Sequence, residues 1–493
     1  MEESYKSALK NTVAFGGLQI ITIFLNLIKG KFIAIYLGPV GIGINNLLLT
    51  SVNLITTFND FGLDLSAVRD LSEANENDNE VRTNKVITVV EKLFFYTAIF
   101  GAVFLALFSS FLSNFTFGNS NYTYSYLLLS IFVFFTTLTK GQQTVMRGLR
   151  KINYLIKSGF YGTLSGVIIS IPFYYFLGVD GIVPTMIITA IISFLFSGYF
   201  YLKIQKIKIV VTNQEVWNEG KQMMKLGIML IFSILIGILV RYLISVGIGK
   251  IGNIKDVGLY SAAMSISGQY VGFILASLGA EYFPRLAAVS QNTFEVNKIV
   301  NEQTEIVLLL ATPLLILMII TSPLLIRVLL TTEFYEIIDF IRFIALGSFF
   351  QLASYCMGYI SFAKNDRKTY VIMEGLVGNF FNLLLSLILY YFYGIFGLAL
   401  GYLILYTIYF VIILTVTRKL YGFETQKEST QFFYISFTFI LLVFLSFYLP
   451  NDYLAYGLAI FLFGLNAIYS YHHLNKRMNL NELLLKIKSK FKR

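Results

Sequence analysis

The chain has 493 residues, of which 56% are hydrophobic and only 13% charged, with 47 Phe and a formal net charge of +11. Apolar runs of 18 or more residues recur from end to end, which marks a polytopic membrane protein and leaves no room for a soluble domain. The single cysteine, Cys356, excludes a disulfide framework and any cysteine-based metal cluster. The only histidines, His472 and His473, sit at the end of the last helix and all but exclude zinc sites or Ser-His chemistry.

A bilayer crossing needs about 20 apolar residues. On that measure helices are predicted near 12–37, 40–64, 86–112, 121–145, 154–177, 181–203, 222–247, 257–281, 302–330, 337–362, 370–393, 395–417, 431–449 and 453–471. The first follows a polar stretch and lacks a small-residue cleavage site, so it reads as a retained helix rather than a signal peptide. It carries a polar stripe of Gln19, Thr22, Asn26 and Lys29, with Lys31 near its outer end. Lys29 lies about 12 Å below that end at 1.5 Å per residue, deep for outward snorkelling, though partial snorkelling is the plainer alternative.

The second helix places Asn46, Thr50, Asn53, Thr57, Asp60 and Asp64 at spacings of 4, 3, 4, 3 and 4, one face throughout. Such a face either packs through hydrogen bonds or lines water. Its two terminal carboxylates favour a wet cavity. Asp60, Asp64 and Glu281 fall at inner helix ends, where with Arg69 and Arg285 they are candidates for a cytoplasmic gate. Helix seven carries Arg241, and charge inside a bilayer asks for a reason. Either it pairs with a carboxylate of its own lobe, or it faces Lys29 and the two grip a substrate with several negative charges, such as a pyrophosphate. Gly258, Ser261, Ser265, Gly268 and Gly272 give helix eight a small-residue face suited to close packing. Asp339 and Arg342 open helix ten as a local pair. Glu374, on the side of Asn382 and Ser386, is a candidate for ion coupling.

The basic surplus is distributed by side. With the N-terminus inside, Lys6, Lys10, Arg69, Arg147, Arg150, Lys151, Lys203, Arg285, Lys364, Arg367, Lys368, Arg418, Lys419 and the tail from Lys476 onward fall inside. Little beyond Lys250 and Lys255 falls outside. This positive-inside bias sets both termini in the cytoplasm and removes the need for a nucleic-acid partner.

The second half repeats the first at an offset of about 216 residues: Gly178-Val-Asp-Gly181 returns as Gly394-Ile-Phe-Gly397, Arg150-Lys151 with Tyr154 as Arg367-Lys368 with Tyr370, and Val40 with Arg69 as Val257 with Arg285. Six helices per copy is even, so both copies enter the membrane the same way round. The expected organisation is an all-α membrane protein with an N-lobe over 1–204, a cytoplasmic linker over 205–221, a C-lobe over 222–420, two additional helices within 421–473 and a basic cytoplasmic tail over 474–493.

Several segments resemble one family. VGLYSAAMSISGQYVGFILASLGAEYFPRL (257–286), LGPVGIG (37–43), GLDLSAVRDLSEA (62–74), ALGSFFQLASYCMGYISFAKNDRKTY (345–370) and GVDGIVPTMI (178–187) look like O-antigen translocases. These are flippases of lipid-linked oligosaccharides within the multidrug/oligosaccharidyl-lipid/polysaccharide exporter superfamily. The resemblance covers about 10–420. It implies two six-helix lobes in a V, and as cargo an undecaprenyl-pyrophosphate-linked oligosaccharide moved to the periplasmic leaflet of the bacterial inner membrane. It also implies cationic cavity residues, an expectation that Lys29 and Arg241 match by position. The additional pair of helices departs from the family's twelve.

The expected function is therefore a flippase working by alternating access, a transporter rather than an enzyme, with no cofactor and no metal. Expected partners are the lipid-linked oligosaccharide, membrane lipids and other glycan-assembly membrane proteins. The rivals are a cation-coupled multidrug exporter of the same superfamily and an integral membrane glycan polymerase or glycosyltransferase. A DxD motif and a large outer loop, which the enzyme would need, are missing from the sequence.

Overall fold

The computed structural model describes residues 2–76, 79–205, 207, 209–277 and 281–478, and the side chains within them except at 2–21, Leu230, Phe273, Ala276, Ser277, Glu374 and Met478. The described residues are mostly helical, and none of them is in a strand. Ten helical stretches among them are long and apolar enough to cross a membrane. Three of these, Thr22–Asn59, Ile152–Tyr201 and Arg367–Tyr421, run to 38, 50 and 55 residues, enough for two crossings each. With those three divided, thirteen of the fourteen predicted spans are accounted for. The fourteenth is α9 (Ile254–Ser277), helical but diluted by Ser261, Ser265, Ser267 and Gln269.

Glycine makes each division. The long helix α1 (Glu2–Asn59) breaks at Gly38, φ 60°, just before Pro39. Gly178, φ 55°, opens a 3₁₀ turn between α6 (Ile152–Leu177) and α7 (Ile182–Tyr201). Gly394, φ 58°, divides α14 (Gly378–Tyr421). A residue with a Cβ is sterically strained at such angles, and glycine is not.

The repeat is visible in backbone detail. A Cβ on Gly181 would run into the Phe173 carbonyl, and one on Gly397 into the Leu389 carbonyl, both pairs of positions matching at 216 residues. The turn after α5 (Thr123–Gly148) uses Leu149 N→Val145 O at 3.0 Å and Lys151 N→Met146 O at 2.8 Å. The turn after α12 (Ile338–Ala363) uses Lys364 N→Ile360 O at 3.0 Å and Asp366 N→Ser361 O at 2.9 Å. Arg150 and Asn365 take the same left-handed position in these two turns, at φ 55° and 56°.

Charged stretches read as connections from the sequence are partly helix. The polar stretch between the predicted helices 40–64 and 86–112 holds most of α2 (Leu63–Glu76) and the start of α3 (Glu80–Leu107). Within the linker 205–221, α8 (Asn213–Ile251) already begins. The helix predicted from 302 starts nine residues earlier, as α11 (Thr293–Leu329). A scan for apolar runs passes over such amphipathic ends because half their surface is polar.

By packing, the chain divides into two compact units, Met1–Gly258 with Val328–Thr331, and Leu259–Arg327 with Thr332–Arg493. In the first, α2 buries Leu63, Ala67, Leu71 and Ala74 against Val86, Val90, Val145 and Met146. Burying each leucine away from water contributes about 1.5–3 kcal/mol. Within a bilayer lipid tails are as apolar as leucine, so close approach and hydrogen bonds do more. Gly43 meets the backbone of Ile254, Gly258 meets the Pro39 carbonyl, and Gly62 meets Gly227, with no space for a Cβ at any of them. A buried chain of hydroxyls runs from Ser51 to Tyr126 (3.0 Å), on to Thr116 of α4 (Ser109–Phe117; 3.0 Å), and to Tyr242 of α8 (2.6 Å). These contacts hold α8, which opens the second repeat, within the first unit.

The second unit is built on α12, nearly all of which is buried. The Gln351 amide stands between two tyrosines of α14, donating to Tyr406 at 2.8 Å and accepting from Tyr402 at 2.9 Å. The Tyr282 hydroxyl donates to the Cys356 carbonyl at 2.6 Å. The two additional helices are α15 (Lys427–Ser446) and α16 (Asp452–Met478). An ion pair between Arg477 and the buried Glu305 ties α16 to α11.

Candidate functional site

Two cations inside the spans of the first unit stand out. Lys29 of α1 is half-buried and Arg241 of α8 is exposed. Neither has a hydrogen-bond or ion-pair partner among the described residues, whereas Lys31 donates to the Leu330 carbonyl. Because Gly43 packs on Ile254 and Gly258 on Pro39, the break at Gly38 and the end of α8 at Ile251 lie at the same end of the unit. Lys29 is about 14 Å along the helix from Gly38, and Arg241 about 15 Å from Ile251. α8 packs on the second half of α1, where Gly249 meets Leu47. The two charges therefore sit at a similar depth within the first unit.

The polar stripe on the second half of α1 is mixed in exposure. Thr50 is buried and its hydroxyl donates to the Asn46 carbonyl at 2.7 Å, while Asn46 and Thr57 are half-buried. Asn53 is exposed, as is Asn26 on the first half. The single helical face expected from Asn46 to Asp64 is interrupted. The helix ends at Asn59, Phe61 (φ 49°) and Gly62 (φ 70°) form a turn, and Asp64 belongs to α2. The side chains of Gln19 and Glu374 lie outside the described residues, as does the basic tail from 479.

Among the gate candidates, the buried Asp60 is taken by Lys140 of α5 in an ion pair. Asp64 is half-buried and Arg69 exposed. In the second unit, Arg285 lies 3.5 Å from Glu281 and donates to Gln303 at 3.0 Å. Arg342 pairs with Asp339 at 3.0 Å, the local bridge expected of their spacing, and stacks over Phe447 at 4.0 Å. On helix eight, the small-residue face packs closely at Gly258, while Gly268 and Gly272 face open space. Among the described residues no cluster of three or more His, Cys, Asp or Glu is placed to hold a metal.

Sequence reasoning passed over Lys140, Glu91 and Lys92. Each lies in a predicted span, which was the available signal. Glu91 accepts from the Tyr201 hydroxyl, and Lys92 donates to the Val211 carbonyl at 2.7 Å. Asp60 is thus taken by Lys140, and among the described residues neither Lys29 nor Arg241 has a carboxylate partner.

The comparisons agree on the fold. A family model described as polysaccharide biosynthesis protein matches residues 32–339. A solved structure titled lipid II flippase MurJ, inward closed conformation, is 15% identical with a TM-score of 0.70, covering 94% of this chain and 99% of that one. An inward-facing multidrug resistance MATE family transporter of the MOP superfamily is 12% identical with a TM-score of 0.66, covering 83% and 98%. A further MATE structure, in the bent conformation, is 12% identical with a TM-score of 0.55, covering 85% and 95%. None of the curated proteins matches the sequence.

Proposed function

Because the chain belongs to the polysaccharide biosynthesis protein family, we propose that it is a flippase. It carries undecaprenyl-pyrophosphate-linked oligosaccharide from the cytoplasmic to the periplasmic leaflet by alternating access, in a bacterial inner membrane with both termini in the cytoplasm. The carrying observation is the pair Lys29 and Arg241, two cations at a similar depth with no carboxylate partner among the described residues. Isolated charge in hydrocarbon is costly, so retaining it calls for a counter-charge that arrives with the cargo. A pyrophosphate supplies that counter-charge, and arginine grips phosphate oxygens through paired hydrogen bonds. The fold shared with a lipid II flippase supports the same reading. A cationic drug would be repelled by the same pair, which weighs against the multidrug alternative.

The test is reconstitution of the full chain in vesicles holding a fluorescent prenyl-pyrophosphate saccharide, with membrane-impermeant quenching of the outer leaflet. The reading expects scrambling or net transfer well above protein-free vesicles and no uptake of a cationic dye. Dye transport without movement of the lipid would overturn it.

A further inference from the structure

We propose that the first unit holds a binding site for a monovalent alkali-metal cation, built from Asn59, Asp60 and Thr137 where the end of α1 meets α5. Three side-chain oxygens there, Asn59 Oδ1, Asp60 Oδ1 and Thr137 Oγ1, have no hydrogen-bond partner among the described residues. Their residues are 1%, 3% and 0% exposed. A buried polar atom left without a partner costs free energy. An amide oxygen, a carboxylate oxygen and a hydroxyl are all hard donors, the kind that an alkali cation takes in place of water.

Packing brings the three together. The Asn59 amide nitrogen donates to the Thr97 carbonyl of α3, which leaves the amide oxygen over. A Cβ on Gly101 would meet both the Asn59 amide and Val133 of α5, so Asn59 stands at the level of Val133. Thr137 and Lys140 follow Val133 at spacings of 4 and 3, on one face of α5. Lys140 holds Asp60 through Oδ2, which leaves Oδ1. Thr137 is therefore the residue on that face between the one that meets Asn59 and the one that meets Asp60.

The charge around these oxygens suits a single positive ion. Asp64 is near enough for its carboxylate to act on Asp60, so two carboxylates stand against Lys140. Arg69, on the same helix as Asp64, acts on Asp70 instead. The half of α1 after Gly38 ends at Asn59, and the last carbonyls of a helix carry the negative end of its dipole. Helix ends of this kind at broken membrane helices are suited to holding a small cation. The site uses neither Lys29 nor Arg241, so its test reads ion binding and is independent of what the chain carries.

The experiment measures thermal unfolding of the purified full chain in detergent, titrated with sodium chloride against choline chloride at constant ionic strength and pH, with radioactive sodium counting bound ion. Sodium is expected to raise the unfolding temperature saturably over choline. T137V keeps the shape of the side chain without its oxygen and is expected to weaken sodium binding about tenfold. D60N/K140M, which keeps the fold neutral at this point, is expected to lose the sodium response. K140M leaves Asp60 without its resident cation and is expected to respond to sodium more steeply than wild type. An equal response to sodium and choline in the wild type leaves the three oxygens to water and overturns the site. So does an unchanged sodium affinity in T137V, which stands as the test should D60N/K140M not fold. Calcium chloride stabilising at lower concentration than sodium overturns the monovalent assignment.

Discussion

The Lys140 ammonium pairs with the Asp60 carboxylate inside the first unit, joining α5 to the turn that ends α1. The carboxylate side chain is 4% accessible and the lysine 30%. Removing one partner of a buried pair strands the other charge, and this is where most of the cost arises. K140M is expected to lose about 3 kcal/mol, the low end for such pairs because the lysine is partly open. The double variant D60N/K140M should recover much of that loss. Unfolding in detergent measures both, and a double variant no more stable than K140M would show that the pairing is not what Asp60 requires.

Gly62 and Gly227 touch backbone to backbone, and Gly62 also holds φ 70°. G227L is expected to prevent α8 from seating on the first unit, giving aggregation or loss of the monodisperse protein. G268A, facing open space, should behave as wild type. Size-exclusion profiles of the two variants distinguish them, and normal folding of G227L would contradict the packing described.

At the start of α8, Thr212 and Glu215 form a capping box, the Thr212 hydroxyl accepting from the Glu215 N–H at 3.3 Å. The hydrogen bond from Lys85 comes first, and those from Thr212 next, in holding the Glu215 carboxyl down to about 2. A depressed carboxyl stabilises fully above its ordinary value of 4.5 and loses that contribution as pH falls toward 2. Helix protection here should therefore be flat from neutral pH down to about 5. T212A should cost about 1 kcal/mol, read as faster amide exchange over 213–220. Unchanged exchange would remove the cap from the account.

What was legible in the sequence follows from what each signal depends on. The spans register because each is a continuous apolar run. Their breaks register because Gly38-Pro39, Gly178 and Gly394 are local backbone requirements. The repeat was readable from Gly181 and Gly397, whose close contact with the preceding helix tolerates no side chain. The helical starts at Leu63 and Asn213 were obscured by their polar faces. Lys140 with Asp60 escaped notice because a pairing across 80 residues depends on tertiary packing, which no periodicity encodes. For Lys29 and Arg241 the sequence supplied the depth, and the structure adds that no carboxylate among the described residues meets either one.

The most direct measurement is transfer of a fluorescent prenyl-pyrophosphate saccharide across vesicles by wild type, K29A, R241A and K29A/R241A, each checked for folding. Losing a charged hydrogen-bonding partner typically costs about 1.5–3 kcal/mol. Each single variant should then bind the lipid roughly tenfold to a hundredfold more weakly, and the double variant should fall to the rate of empty vesicles. A well-folded double variant that still moves the lipid at the wild-type rate would contradict the assignment of these two cations to the pyrophosphate.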